Sequence, residues 1–369
     1  MKKSTLFSLI AVGVGILLIG LSILLVGGNF SSFASGKKGN HNYVYTKYEC
    51  TSDITALDVK ELYESAVITT GNVDKPVVEY YVDEKHDYVE VKESNGKLSF
   101  ERIEKNSWGF NFWFDFDFNL DTKTVITLPE DYEGPVDAKC TSGALKISDL
   151  KNSTVVAETS SGSVSVDNIE KSGKISVKAT SGSAKVSSVN SDGNVTVETH
   201  SGSSKADDVK CADFSCTATS GSVKVSGIEC TNAVIGCSSG TVHGENVNAT
   251  GNVNASTTSG GIKLETLTCK DLITESGSGS SRYNNTTVDT VNSRTTSGSL
   301  RFDNLAVNKS AEFKATSGSI SGNIDGKESD FSIISSTGSG SSNLKSSREG
   351  SKTLDASTTS GLIHIDFNK

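Results

Sequence analysis

Histidine is scarce in this chain. The five copies are His41, His86, His200, His243 and His364, spread over 369 residues. None of them shows the paired spacing of metal ligands, so a metal centre is not expected. The seven cysteines (Cys50, Cys140, Cys211, Cys216, Cys230, Cys237, Cys269) are odd in number and also lack paired zinc spacing. Carboxylates are not clustered. They fall about one per repeat, and no repeat carries a long insertion that would build a cleft. A polysaccharide lyase or hydrolase needs converging acids or a basic group in one cleft, so an enzyme is not expected. The calcium-binding Gly-Gly-x-Gly-x-Asp signature is missing, because Gly277-Ser278-Gly279-Ser280 lacks the Asp. No helix follows the Gly-Ser-Gly stretches, so they read as corners and not as phosphate loops. A basic surplus is absent as well: net charge is −9, which speaks against a nucleic-acid partner. No cofactor is expected.

Only one long uncharged run occurs, from Leu6 to Gly28, preceded by Lys2 and Lys3. Its length suits one membrane crossing, and the flanking positive charge places residues 1–5 in the cytoplasm. The expectation is a single-pass anchor at 6–28 with all that follows extracytoplasmic. The other reading is a cleaved signal peptide ending near Ser32-Phe33-Ala34. Residues 29–45 read as a spacer. Pro (3) and Met (1) are rare, while Ser, Thr, Gly, Val and Asn dominate the rest. Regular apolar columns make this the composition of a β-solenoid and not of a disordered chain.

Those columns are set by a tripeptide that ends in glycine and recurs every 19 to 22 residues. The glycines are Gly143, Gly162, Gly182, Gly202, Gly221, Gly240, Gly260, Gly279, Gly298, Gly318, Gly340 and Gly361. Seven residues before each stands an apolar residue, from Val136 to Leu354. Apolar residues resume two and four after it, as in Val164 with Val166, and again seven after it from Leu150 to Leu267. Period-two alternation means strands with one face inward. A fixed period of this length means a parallel solenoid, here about twelve coils over 136–369 stacked at roughly 4.8 Å. The glycines are expected at tight corners with positive φ, Gly182 among them. The Ser before each glycine falls inward by parity. Ser281 and Ser342 at inward slots, with Gly244 and Gly322, predict looser late coils. Residues 46–135 hold 9 basic and 20 acidic residues and several strand patterns, and read as an acidic β cap over the first coil. Within it, Phe110, Phe112, Phe114, Phe116 and Phe118 share one strand face, as the cap's own core or as an exposed strip.

The segments Ile54-Thr-Ala-Leu-Asp-Val59 and Val125-Ile-Thr-Leu-Pro129, followed by the Thr-Ser-Gly coils, resemble a bacterial family of unknown function. Its members are candidate adhesins with β-strand repeats. The resemblance covers about residues 50–369. It implies an envelope-located, non-enzymatic solenoid, in some cases tied to envelope-stress systems, and carries over no catalytic residue.

Binding is therefore the expected activity: adhesin, envelope scaffold or accessory sensor. Partners would be the cell membrane, through the anchor, and an anionic envelope polymer, a glycan or another envelope protein. The candidate site is a column three residues after each glycine: Lys146, Lys185, Lys205, Lys224, Lys263, Arg282 and Arg301, with His243 and His364 between and beyond. Parity points it outward, where an anionic polymer would relieve its self-repulsion. The competing reading is a solvated salt ladder with Asp167, Asp207, Glu245, Glu265, Asp303 and Asp366, two residues further on. Carbohydrate catalysis, and lattice or ice binding by an outward Thr column from Thr141 to Thr359, are the alternatives. Cys211 and Cys230, one coil apart in one column, are placed for a disulfide.

Overall fold

A computed structural model of the chain describes residues 43–105 and 122–368. They form strands almost throughout, with one short 3-10 turn at Glu328–Asp330. Most strands pair in parallel with the strand one repeat away. For example, Val155 aligns with Ile175, and Ile175 with Val195. The fold is an all-β parallel solenoid of about eleven turns. Eleven of the twelve glycine corners join two strands, and the corner at Gly340 leads only to an isolated bridge.

The expectation of a single-pass membrane protein is corrected. Among the described residues no helix is long and apolar enough to cross a membrane, and the run 6–28 lies outside the described residues. So does the aromatic stretch 108–118.

Each coil buries an apolar column on both sides of its corner. In the Gly182 coil these residues are Ile175, Val177 and Ala179 before the corner and Ala184, Val186 and Val189 after it. Positions four and seven after the glycine cannot both face inward on a regular strand. The parity is broken by a residue in the left-handed region at position six. Asp149, Asn168, Ser188, Asp208, Gly227, Asn246, Thr266, Asn285 and Asn304 hold φ between 49° and 65° in nine successive coils. Asn and Asp tolerate this conformation, whereas a β-branched residue is strained there. Thr266→Asn is therefore expected to raise stability by about 0.5–1 kcal/mol, read as a higher urea midpoint. An unchanged or lower midpoint would show that Thr266 bears no strain.

Glycine is required at the tight corner for a different reason than positive φ. Gly221, Gly240, Gly260, Gly340 and Gly361 have positive φ, but Gly182 is not among them. What the column shares is close stacking. A Cβ on Gly182 would lie 1.8 Å from the Gly162 carbonyl oxygen, and one on Gly202 would lie 1.7 Å from that of Gly182. The Ser before the glycine is exposed in every coil, because the chain leaves the core two residues before the corner and parity no longer maps to depth. The inward hydroxyl stands two residues earlier, three before the glycine. Thr199 donates to the Gly202 carbonyl at 3.1 Å, Thr295 to Gly279 at 3.1 Å and Thr358 to Gly318 at 2.9 Å.

Of the late coils expected to be looser, the Gly340 coil, where Ser342 stands, has no strand after its corner, but the two glycine gaps are closed. The slot at Gly244 is filled by Leu264, whose Cδ2 lies 3.0 Å from where a Cβ would sit, and Phe302 fills the slot at Gly322. Phe302 stacks on Phe313 with ring centroids 4.6 Å apart.

Neither end is stacked in chain order. At the N-terminal end the strands are β1 (Tyr43–Glu49), β2 (Ala56–Glu61), β3 (Ala66–Gly71), β4 (Val77–Asp83), β5 (Asp87–Ser94), β6 (Lys97–Glu104) and β7 (Thr124–Pro129). The β2–β3 turn is sandwiched between the Gly143 coil and the later β6–β7 turn. Antiparallel strands then close the open edge, β5 against β6 and β4 against β7, with β1 outside β4. This blunts an edge that would otherwise accept another strand. At the other end, strand Lys352–Ser360 lies between strand Leu300–Ser317 and strand Phe331–Ser339. The corner glycines stack in the order Gly318, Gly361, Gly340.

Candidate binding stripe

On the strand that follows a corner, the residue three after the glycine stands between buried neighbours. In the Gly182 coil Ala184 and Val186 are buried on either side of Lys185. Parallel pairing then aligns this position from coil to coil. Lys146 pairs with Ser165, Ser165 with Lys185, Lys185 with Lys205, Lys205 with Lys224 and Lys224 with His243. His243 continues to Lys263, Arg282, Arg301, Ser321 and then His364. From Lys185 to Arg301 the column is an uninterrupted run of basic side chains at roughly 4.8 Å per step. Lys146, Lys224, Lys263, Arg282 and Arg301 are exposed, and Lys185 and Lys205 are half-buried.

The neighbouring acids neutralise this column only in part. Lys205 reaches Asp207 at 2.6 Å and Lys263 reaches Glu265 at 2.8 Å. The hydrogen bond from Lys263 holds the Glu265 carboxyl below its usual range. His243 stands 3.7 Å from the same carboxylate. Arg282 meets only the Asn284 side chain, at 3.4 Å. Among the described residues, Lys146, Lys185, Lys224, Arg282 and Arg301 have no carboxylate within 4.0 Å. Asp167 accepts instead from the Ser187 hydroxyl, at 2.6 Å. The strand before the corner differs. There Lys139 pairs with Glu158 at 3.3 Å and Lys178 with Glu198 at 3.1 Å, alternating coil by coil. One face carries a paired ladder and the next carries five cations left over. Stacked like charges destabilise a sheet modestly, so the surplus is a cost to the fold.

The outward Thr column lies along the edge of a groove on the pre-corner face. The groove's floor is formed by small residues such as Thr217, Gly236 and Ser256. Ser238, Gly277 and Gly338 interrupt the column.

All seven cysteines are free and buried. Cys211 and Cys230 each directly follow one member of the aligned pair Lys210 and Glu229. They are neighbours in one inward column, yet no bond joins them. Burial pushes the Cys211 thiol up to about 11 and the Cys230 thiol up to about 12. Both are therefore poor nucleophiles near neutral pH.

Sequence reading missed a buried charge centre in the cap. Arg102 donates from Nε to Glu61 Oε1 and from Nη1 to Asp87 Oδ2, each at 2.6 Å, with all three side chains 0% exposed. Nη1 also donates to the Tyr81 carbonyl at 2.9 Å, and Tyr63 donates to Asp87 at 2.5 Å. The only signal in the sequence was an Arg at an inward position of a strand, Leu98-Ser-Phe-Glu-Arg102.

Solved structures that the chain is similar to include a candidate adhesin from Bacteroides fragilis. It is 13% identical, with 90% of this chain and 99% of that one covered, at a TM-score of 0.29. A candidate adhesin from Parabacteroides merdae is 12% identical, with 72% and 97% covered, at a TM-score of 0.41. A candidate lipid-binding protein from Parabacteroides distasonis is 14% identical, with 90% and 98% covered, at a TM-score of 0.33. No curated protein matches the chain. The Toastrack DUF4097 family matches residues 54–193, 170–266 and 237–366. Together these ranges take in the β2–β3 turn and every glycine corner, and the chain belongs to the Toastrack DUF4097 family.

Proposed function

We propose that the protein acts by binding and not by catalysis, as an adhesin-type solenoid that holds an extended anionic polymer along the basic stripe. The observation that carries this reading is the in-register run Lys185–Lys205–Lys224–His243–Lys263–Arg282–Arg301 with most of its cations unpaired. A linear polyanion, such as a teichoic-acid-like cell-envelope polymer, would place charge along the whole run at once. Each contact is weak in water, but contacts in series multiply.

Replacing Lys185, Lys205 and Lys224 by Gln tests the proposal. These side chains point outward, so stability should change by no more than about 0.5 kcal/mol. Retention on an immobilised polyphosphodiester should fall at least about tenfold, and its dependence on salt should flatten. Unchanged retention by the folded variant would leave only a structural role for the column.

A further inference from the structure

The out-of-order C-terminal end makes a wedge. Strand Lys352–Ser360 pairs on one side with residues 310–317 and on the other with strand Phe331–Ser339. Strand Ile363–Asn368 pairs with strand Ile320–Asp325. On its far side the Asn343 backbone donates to the Ile363 carbonyl at 3.1 Å, and the Asn343 side chain donates to the Ile365 carbonyl at 3.0 Å. Leu354, Ala356, Ile363 and Ile365 are buried in the stack. Withdrawal of the wedge would leave two facing strand edges, both with unmet backbone groups and an apolar column between them. All other coils from Gly143 to Gly318 are consecutive, so none is spare to fill the slot.

The connection to the wedge is slight. Residues 341–351 contain no regular strand, only bridges from Ser342 to Ile363 and from Ser347 to Ile333. Lys345, Ser346, Arg348, Glu349, Gly350 and Ser351 are all exposed. The wedge thus combines a large, specific pairing surface with a connection whose bonds run to both sides, Asn343 to the wedge and Ser347 to Ile333, and whose last residues, 348–351, are exposed.

We propose that this wedge exchanges between two copies of the chain, each filling the other's slot, to give a reciprocally swapped dimer. Residues 341–347 of each chain keep their bonds to Ile333 and receive the incoming wedge, so every strand pairing of the wedge is re-formed in the dimer and only 348–351 changes course. The balance between closed monomer and dimer is then set by protein concentration and not by lost contacts. A dimer would carry two basic stripes, but the exchange does not depend on what the stripe binds.

The test uses the full chain with Lys314→Cys and Ser357→Cys, outward positions that stand opposite one another across the wedge boundary. Adjacent strand positions lie within disulfide reach. In the closed monomer the engineered bond is intramolecular; in the swapped dimer it joins two chains. The protein is concentrated, warmed below its melting midpoint, cooled, oxidised and run on a non-reducing gel. A control carries Ser215→Cys and Val234→Cys, which face each other between two interior coils. The expected result is a covalent dimer for the wedge pair and only monomer for the interior pair. Monomer for both pairs, or equal dimer for both, overturns the proposal.

Discussion

Gly182→Ala is expected to destabilise the solenoid nearly as much as Gly182→Val. A single methyl group already stands 1.8 Å from the carbonyl oxygen of Gly162, and 2.7 Å from its carbon. The obstacle is backbone, so no rotamer change relieves it. Nor can the coils move apart. The flanking strands are tied on both sides, Ile175 to Val155 and Val195, Ala184 to Val164 and Ser204, which fixes the spacing at roughly 4.8 Å. Overpacking costs about 1–3 kcal/mol, and an unyielding backbone contact puts this one at the upper end. Gly173→Ala provides the contrast. It stands at the looser corner, where the nearest group is the Thr154 hydroxyl at 2.9 Å, a side chain that can rotate. Its cost should stay under about 1 kcal/mol. Urea unfolding followed by circular dichroism checks both, and coincident curves for wild type and Gly182→Ala would remove the stacking argument.

The second large effect is expected in the cap. Arg102→Met leaves Glu61 and Asp87 buried without a cation. Stranding a buried charge in this way costs about 3–5 kcal/mol. Arg102 links β2, where Glu61 ends the strand, to β5, where Asp87 begins. Its loss should therefore loosen the closed N-terminal edge before the interior coils. Hydrogen exchange should show residues 56–104 opening first. The triple variant Arg102→Met, Glu61→Gln, Asp87→Asn removes the unpaired charge and should recover more than half of the loss. If the single and triple variants are equally unstable, packing around the guanidinium matters more than its charge.

The repeat and its inward columns were legible because one physical demand acts on every coil. Each must bury the same inward column, so Val155, Ile175 and Val195 recur where stacking puts them. The basic column was legible for the same reason, since any residue that alternates with two buried ones must face out. Parity failed where the chain stops being a regular strand. The exposed Ser at −1 and the left-handed residue at +6 both lie at bends. The Asn and Asp residues at 149, 168, 208, 246, 285 and 304 were a readable sign of the second bend. Gly182 was correctly placed at a corner but for the wrong cause, because the approach of one backbone to the next exists only once the coils are stacked. The Arg102 centre and the order of the terminal coils depend on contacts between segments far apart in sequence, which no local pattern encodes.

The two out-of-order ends separate the length of the molecule from its integrity. Coils between Gly143 and Gly318 meet their neighbours through the same registers and the same corner contact. Duplication or loss of one whole repeat in that span would leave both ends untouched. Repeats added after Gly361 would instead have to pass the crossing at 341–351. The solenoid can thus be lengthened from the middle, one turn at a time, while both out-of-order crossings are kept.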